Sequence, residues 1–122
     1  MTDSIQIRWN EYIDQIKNIY GSHLKQIILF GSYARGDFNE DSDIDLMILL
    51  DITDLEIKNY RHLLSYATFD FNMEYDLDVK PIAKSEEHFN KWVNNYPFYY
   101  NVAKEGVTLY AAWGYGDSYR SG

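Results

Sequence analysis

The chain contains no cysteine. A disulfide framework, a thiolate metal site and a cysteine nucleophile are therefore excluded before any motif is read. Long apolar runs are missing as well: the longest, residues 46–50, is far too short to cross a bilayer. The opening MTDSIQIRWN shows no basic segment followed by an apolar one. A cytoplasmic protein with no membrane association is the expectation. Positive charge is also scarce, with 11 Lys and Arg against 19 Asp and Glu and a net charge of −8. Such a field repels polyanions, so sequence-independent nucleic-acid binding through a basic face is not expected. A phosphate ligand would need a cation to escort it.

What the chain has is the composition of a folded domain. Its 122 residues are 46% hydrophobic and 25% charged, enough for one core and too few for two ordinary domains. Residues 3–20 carry Ile5, Trp9, Tyr12, Ile13, Ile16 and Ile19 three and four apart, which predicts an amphipathic helix stopped by Gly21. Residues 25–30, KQIILF, read as a strand that empties into a loop at Gly31, with one helical turn around residues 33–35. Residues 43–50, DIDLMILL, read as a second strand, apolar on both faces after its first two carboxylates and so covered on both sides. A helix is expected over residues 54–66, then an alternating strand over residues 75–82 ended by Pro81. Ser85 is an N-cap candidate ahead of Glu86 and Glu87, Pro97 can open a helix that Gly106 stops, and residues 107–110 are extended. The expected division is a domain over residues 1–110 and a loosely ordered tail over residues 111–122. Aromatic residues, 12 of them Tyr, gather toward the C-terminal third, where they fill half-buried surface or form a partner-binding face.

Three features ask for one explanation. Gly31 and Ser32 sit where a strand runs into a turn, where a residue without Cβ lets backbone N–H groups approach a phosphate and the hydroxyl adds a donor. Asp43 and Asp45 are two apart on a strand, so their carboxylates share a face and repel unless a proton or cation intervenes. All-oxygen ligation selects a hard ion, Mg²⁺ first and Mn²⁺ second. A third carboxylate comes from the alternating strand, where Asp76 and Asp78 share a face with Lys80. Arg35 can neutralise further phosphate charge, and Lys80 can meet a phosphate or pair with Asp76. His23, His62 and His88 have no mutual ligand spacing, and Ser42 reads as a turn-stabilising hydroxyl. A carboxylate-held metal beside a phosphate cradle is the equipment of phosphoryl or nucleotidyl transfer.

Residues 31–45, GSYARGDFNEDSDID, resemble the GS-x10-D-x-D signature of the minimal nucleotidyltransferases, a branch of the DNA polymerase beta superfamily. The likeness extends to the first helix, the LDVKPI strand and the FYYNVAKEGVTLY ending. It implies an α/β (α+β) fold, a small mixed sheet flanked by helices, that binds ATP with two Mg²⁺ ions. Carried over, Gly31 and Ser32 hold the triphosphate, with Arg35 beside them. Asp43, Asp45 and Asp78 bind the metals, and Asp78 also activates the attacking hydroxyl. Asp78 is preferred to Asp76 because its offset from Pro81 best matches the family's strand.

The resemblance further implies transfer of AMP to a hydroxyl, with the antitoxins of HEPN toxin pairs as the nearest group and a tyrosine of the toxin as acceptor. Two other functions are weighed against it. One is adenylylation of a small hydroxylated molecule such as an aminoglycoside, which the acidic surface would attract. The other is an inactive antitoxin that acts by occlusion, against which the retained Gly31, Ser32, Asp43 and Asp45 count. A homo-oligomer is left open.

Overall fold

The computed structural model describes residues 2–39 and 41–112, with side chains from Trp9 onward. Strands β1 (Leu24–Phe30), β2 (Ile44–Leu50), β3 (Val79–Ser85) and β4 (Val107–Ala111) form one mixed sheet in the order β3-β2-β1-β4. β1 runs antiparallel to β2 and β4, whereas β2 and β3 are parallel. As the doubly apolar pattern of β2 requires, that strand lies inside the sheet. Leu46, Met47, Ile48, Leu49 and Leu50 are all at most 1% exposed.

Each face of the sheet takes a layer of helices. On one side lie α1 (Thr2–Tyr20) and α4 (Arg61–Tyr75). Trp9, Tyr12, Ile13, Ile16 and Tyr20 form the buried stripe of α1 and pack with Leu46, Ile48, Leu50, Leu64 and Phe71. The rings of Trp9, Tyr12 and Phe71 stack together, and the Tyr12 hydroxyl shares a 2.6 Å hydrogen bond with Thr68 Oγ1. Each such side chain contributes about 1.5–3 kcal/mol on burial, so this layer carries most of the fold. Burial also pushes the Tyr20 phenol up to about 12. On the other side, Met47 and Leu49 meet Phe89 of α5 (Glu86–Trp92) and Tyr99 and Val102 of α6 (Pro97–Glu105). The Ser85 hydroxyl accepts the His88 N–H at 3.2 Å, capping α5 as expected, and Pro97 opens α6.

The segment after β2 differs from its expected single helix. It forms a short α3 (Asp54–Ile57), a 3-10 turn (Lys58–Tyr60), and then α4, which continues to Tyr75. The first piece is set by a capping box: Thr53 Oγ1 accepts the Glu56 N–H while Glu56 Oε1 accepts the Thr53 N–H, both at 3.1 Å.

The expectation of a strand over residues 75–82 ended by Pro81 is corrected in two ways. Tyr75 is helical and Asp76 closes α4 in the left-handed region at φ 54°, so alternation begins only beyond it. The strand then runs through Pro81 to Ser85. Proline is tolerated because β3 is an edge and residues 79, 81, 83 and 85 turn their backbone groups away from β2. Asn72 of α4 covers the start of that edge: its Oδ1 accepts the Val79 N–H at 2.9 Å and its Nδ2 donates to the Val79 carbonyl at 3.2 Å. At the far end, the Ser85 N–H donates to Asp54 Oδ1 at 2.9 Å.

At the C-terminal side, Ala111 belongs to β4 and the Ala112 N–H donates to the Lys25 carbonyl at 2.9 Å. The rest of the expected tail, residues 113–122, lies outside the described residues. Among the described residues, no helix is long and apolar enough to cross a membrane.

Candidate active site

The sheet register brings the acidic residues together. Asp45 stands opposite Phe30 of β1 on one side and Lys80 of β3 on the other. Asp43 and Asp78 lie just before the parallel strands β2 and β3, where the Ile44 N–H donates to the Asp78 carbonyl at 2.9 Å. The carboxyl groups of Asp43 and Asp78 lie near enough to shift one another's proton affinity. Asp43, Asp45 and Asp78 thus converge at one end of the sheet, on the face of Met47 and Leu49.

Asp76 does not share that face. Its left-handed backbone removes it from the strand, and it lies with Tyr33, Asp41, Ser42 and Leu77 in a cleft of about 300 Å³ that Asp78 also borders. Lys80 pairs with Asp43, Nζ to Oδ2 at 3.1 Å, and not with Asp76.

The loop that supplies Gly31 and Ser32 is shaped by its own side chains. Gly31 adopts φ 78° and leads into the single helical turn α2 (Ser32–Arg35), matching the turn expected there. A Cβ at this position would also stand 2.5 Å from Asp45 Oδ2 and oblige that carboxylate to move. The β1 bend and the Asp45 carboxylate are therefore in direct contact. Farther along the loop, Ser42 Oγ accepts the Asn39 N–H at 2.9 Å and Asn39 Oδ1 accepts the Asp41 N–H at 2.8 Å. Ser42 thus plays the turn-stabilising part expected of it. Arg35 is held by Asp37 at 3.2 Å and by Glu105 of α6 at 3.6 Å, fastening α2 to the second helix layer while its charge still reaches Asp45.

These contacts separate the three acids electrically. The neighbouring Asp78, followed by Lys80, holds the Asp43 carboxyl below its usual range. Asp43 in turn raises Asp78, which therefore keeps a proton more readily. Burial, and then the charge of Asp43, raises Asp45.

The donor set is all oxygen, with no histidine joining it, and its mutual repulsion is the kind a hard divalent ion relieves. In that chemical sense the residues fit Mg²⁺ or Mn²⁺. Among the described residues no three acidic or histidine side chains already stand as a metal cage. Asp43 is engaged instead by the Lys80 ammonium.

Sequence patterning brought Lys80 into view without identifying its partner, and it missed Asn72 altogether. Asn72 bonds both backbone groups of Val79 and, through its carbonyl, accepts the N–H groups of Asp76 and Leu77. It therefore fixes the turn that carries Asp78. Nothing about an asparagine on the polar side of a helix signals such a role. His23 also acquires a partner, with Nδ1 2.8 Å from Asp51 Oδ1, far from the acids. A groove of about 720 Å³ lies between α4 and the outer edge of β3 and contains none of Asp43, Asp45 and Asp78.

Comparison with known proteins agrees with this geometry. The profile of the nucleotidyltransferase domain family matches residues 10–106. A Methanocaldococcus jannaschii protein with the provisional name protein adenylyltransferase is 39% identical over 100 residues, which cover 82% of this chain and 92% of the relative. A chain of a toxin–antitoxin complex with AMP-PNP superposes with a TM-score of 0.56 at 20% identity, covering 91% of this chain and 80% of that one. A chain from the complex of tri-AMPylated Shewanella oneidensis HEPN toxin with its MNT antitoxin gives a TM-score of 0.54 at 19% identity, over 93% and 78% of the two chains. At these identities the two structures establish a shared fold.

Proposed function

Because the chain belongs to the nucleotidyltransferase domain family, we propose that it moves AMP from ATP to a hydroxyl, specifically a tyrosine of a HEPN-type partner toxin. One observation carries this reading: Asp43, Asp45 and Asp78, at the start of two parallel strands, meet beside a glycine bend that the Asp45 carboxylate touches. The name of the M. jannaschii relative and the AMPylated toxin beside the structurally similar antitoxin support the choice of AMP and of a protein acceptor.

Asp43, Asp45 and Asp78 would hold two Mg²⁺ ions, which when bound supply the charge that lets a triphosphate approach an acidic cluster. Gly31 offers its backbone to the phosphates and Ser32 its hydroxyl, with the Arg35 guanidinium close by. In the transfer the acceptor oxygen forms a bond to the α-phosphorus, the bond to the bridging oxygen breaks, and pyrophosphate leaves. The hydroxyl proton would pass to the Asp78 carboxylate, the acid of the cluster carried by the turn ahead of β3. The exposed aromatic side chains at the start of α6, Tyr96 just before it and Phe98 and Tyr100 on it, offer a surface for the partner protein.

The test is co-expression with a candidate HEPN partner followed by intact-mass analysis. Addition of AMP to a partner tyrosine, absent without Mg²⁺, is the expected result. A stable complex with no added mass under Mg²⁺ and ATP would replace transfer with occlusion.

A further inference from the structure

We propose that Lys80 is the built-in counter-ion of the acidic cluster, one that a divalent metal must displace and that thereby makes metal loading depend on nucleotide. This rests on the metal-binding role assigned above to Asp43. The Lys80 ammonium lies 3.1 Å from Asp43 Oδ2, and its strand position is the register partner of Asp45. Both side chains of the ion pair are accessible, at 57% and 41%, so the ammonium can leave without crossing a packed core. The other cation of the site, Arg35, is engaged by Asp37 and Glu105. Arg35 reaches only Asp45 from a distance, so Lys80 is the cation in direct contact with the cluster.

Asp43 Oδ2, which accepts from the Lys80 ammonium at 3.1 Å, has that lone pair less free for a divalent ion. The positive charge of Lys80 also opposes the approach of a second cation. At separations of about 5 Å and near-aqueous screening that opposition weakens metal binding about tenfold. A triphosphate changes the balance, because its oxygens give the displaced ammonium another anion to meet. Metal and nucleotide then favour one another, and by linkage the factor is the same in both directions. Lys80 thus acts as a positioning residue: it keeps the carboxylates gathered before loading and disfavours a metal that arrives alone.

The experiment is calorimetric titration of the full chain with Mn²⁺, with and without a non-hydrolysable ATP analogue, for the wild type, Lys80→Met, Lys80→Arg and Asp43→Asn. Lys80→Met should bind Mn²⁺ alone about tenfold more tightly than the wild type and lose most of the metal–nucleotide coupling. Its metal-free melting temperature should fall, and Lys80→Arg should behave like the wild type. Asp43-dependent Mn²⁺ binding that is equal or weaker in Lys80→Met would overturn the role of Lys80 alone. If no protein shows Asp43-dependent binding with or without the analogue, the metal site itself is wrong and the role of Lys80 falls with it.

Discussion

The two ends of β2 solve opposite problems. From Leu46 to Leu50 every side chain is at most 1% exposed, sandwiched between α1 and α4 on one face and α5 and α6 on the other. At the entry to the same strand, Asp43 and Asp45 stay partly exposed, one held by an ammonium and the other pressed against a glycine. The closed end gains stability from apolar burial, and the open end spends some of it by gathering like charges. Under the proposed function, stability and chemistry are separated by a few residues of one strand, so substitutions at the two ends should differ in kind.

The largest contrast is in activity. Asp45→Asn should lower AMP transfer about a thousandfold, or about 4 kcal/mol at 1.36 kcal/mol per decade. The metal-free protein should melt no lower than the wild type, because burial and the charge of Asp43 make an ionised Asp45 a cost to the fold. A raised carboxyl stabilises the fold below the ordinary aspartate range, and that contribution is lost as pH rises through its folded value. Any gain in melting temperature from Asp45→Asn should therefore be greatest at neutral pH and vanish on acidification. At the closed end, Ile48→Ala should cost about 2–5 kcal/mol in denaturant unfolding, while the surviving folded protein keeps its metal and nucleotide affinity. Equal loss of stability from both substitutions would erase the distinction.

Gly31→Ala lies at the boundary and should show both effects. The backbone at φ 78°, ψ −155° lies where essentially only glycine is found, which costs about 1–3 kcal/mol, and the new methyl must displace Asp45 Oδ2, which it would meet at 2.5 Å. Unfolding and transfer assays on one preparation should both register the change. Well beyond the closed end, Glu56→Gln should have the smallest effect. Its partners in the capping box hold the Glu56 carboxyl below the usual range. That stabilisation is present above the ordinary glutamate range and is lost as pH falls through the folded value. The melting temperatures of wild type and variant should differ slightly at neutral pH and converge in acid.

The same division decides what could be read from the sequence. The stripe of α1 at Trp9, Tyr12, Ile13 and Ile16, the doubly apolar β2, the Ser85 cap and the Gly31–Ser32 bend follow from local spacing and appear where that spacing puts them, whereas Ile19 is only half-buried and the side chain of Ile5 lies outside the described residues. Asp43 and Asp45 were recognisable because two charges interrupt an otherwise apolar strand. Alternation alone could not choose between Asp76 and Asp78, since it assumed a strand that had already begun. The left-handed turn at Asp76 and the Asn72 clamp on Val79 displace one aspartate and fix the other. Both depend on α4 lying alongside β3, a relation no short window contains. Pro81 misled for a related reason: a missing N–H ends a strand only if that N–H has a neighbour to meet, and here it faces outward.

The covered margin of β3 has a consequence for how this protein behaves in a crowd. A foreign strand seeking to lengthen the sheet there would find the Val79 amide taken by Asn72, none at Pro81 and the Ser85 amide taken by Asp54, which leaves Ala83. With a single outward N–H left, that edge is a poor template for another strand. The rim that carries Asp78 and Lys80 is thereby protected from runaway self-polymerisation, even though an acidic cleft beside a bare strand edge would otherwise tempt the wrong company.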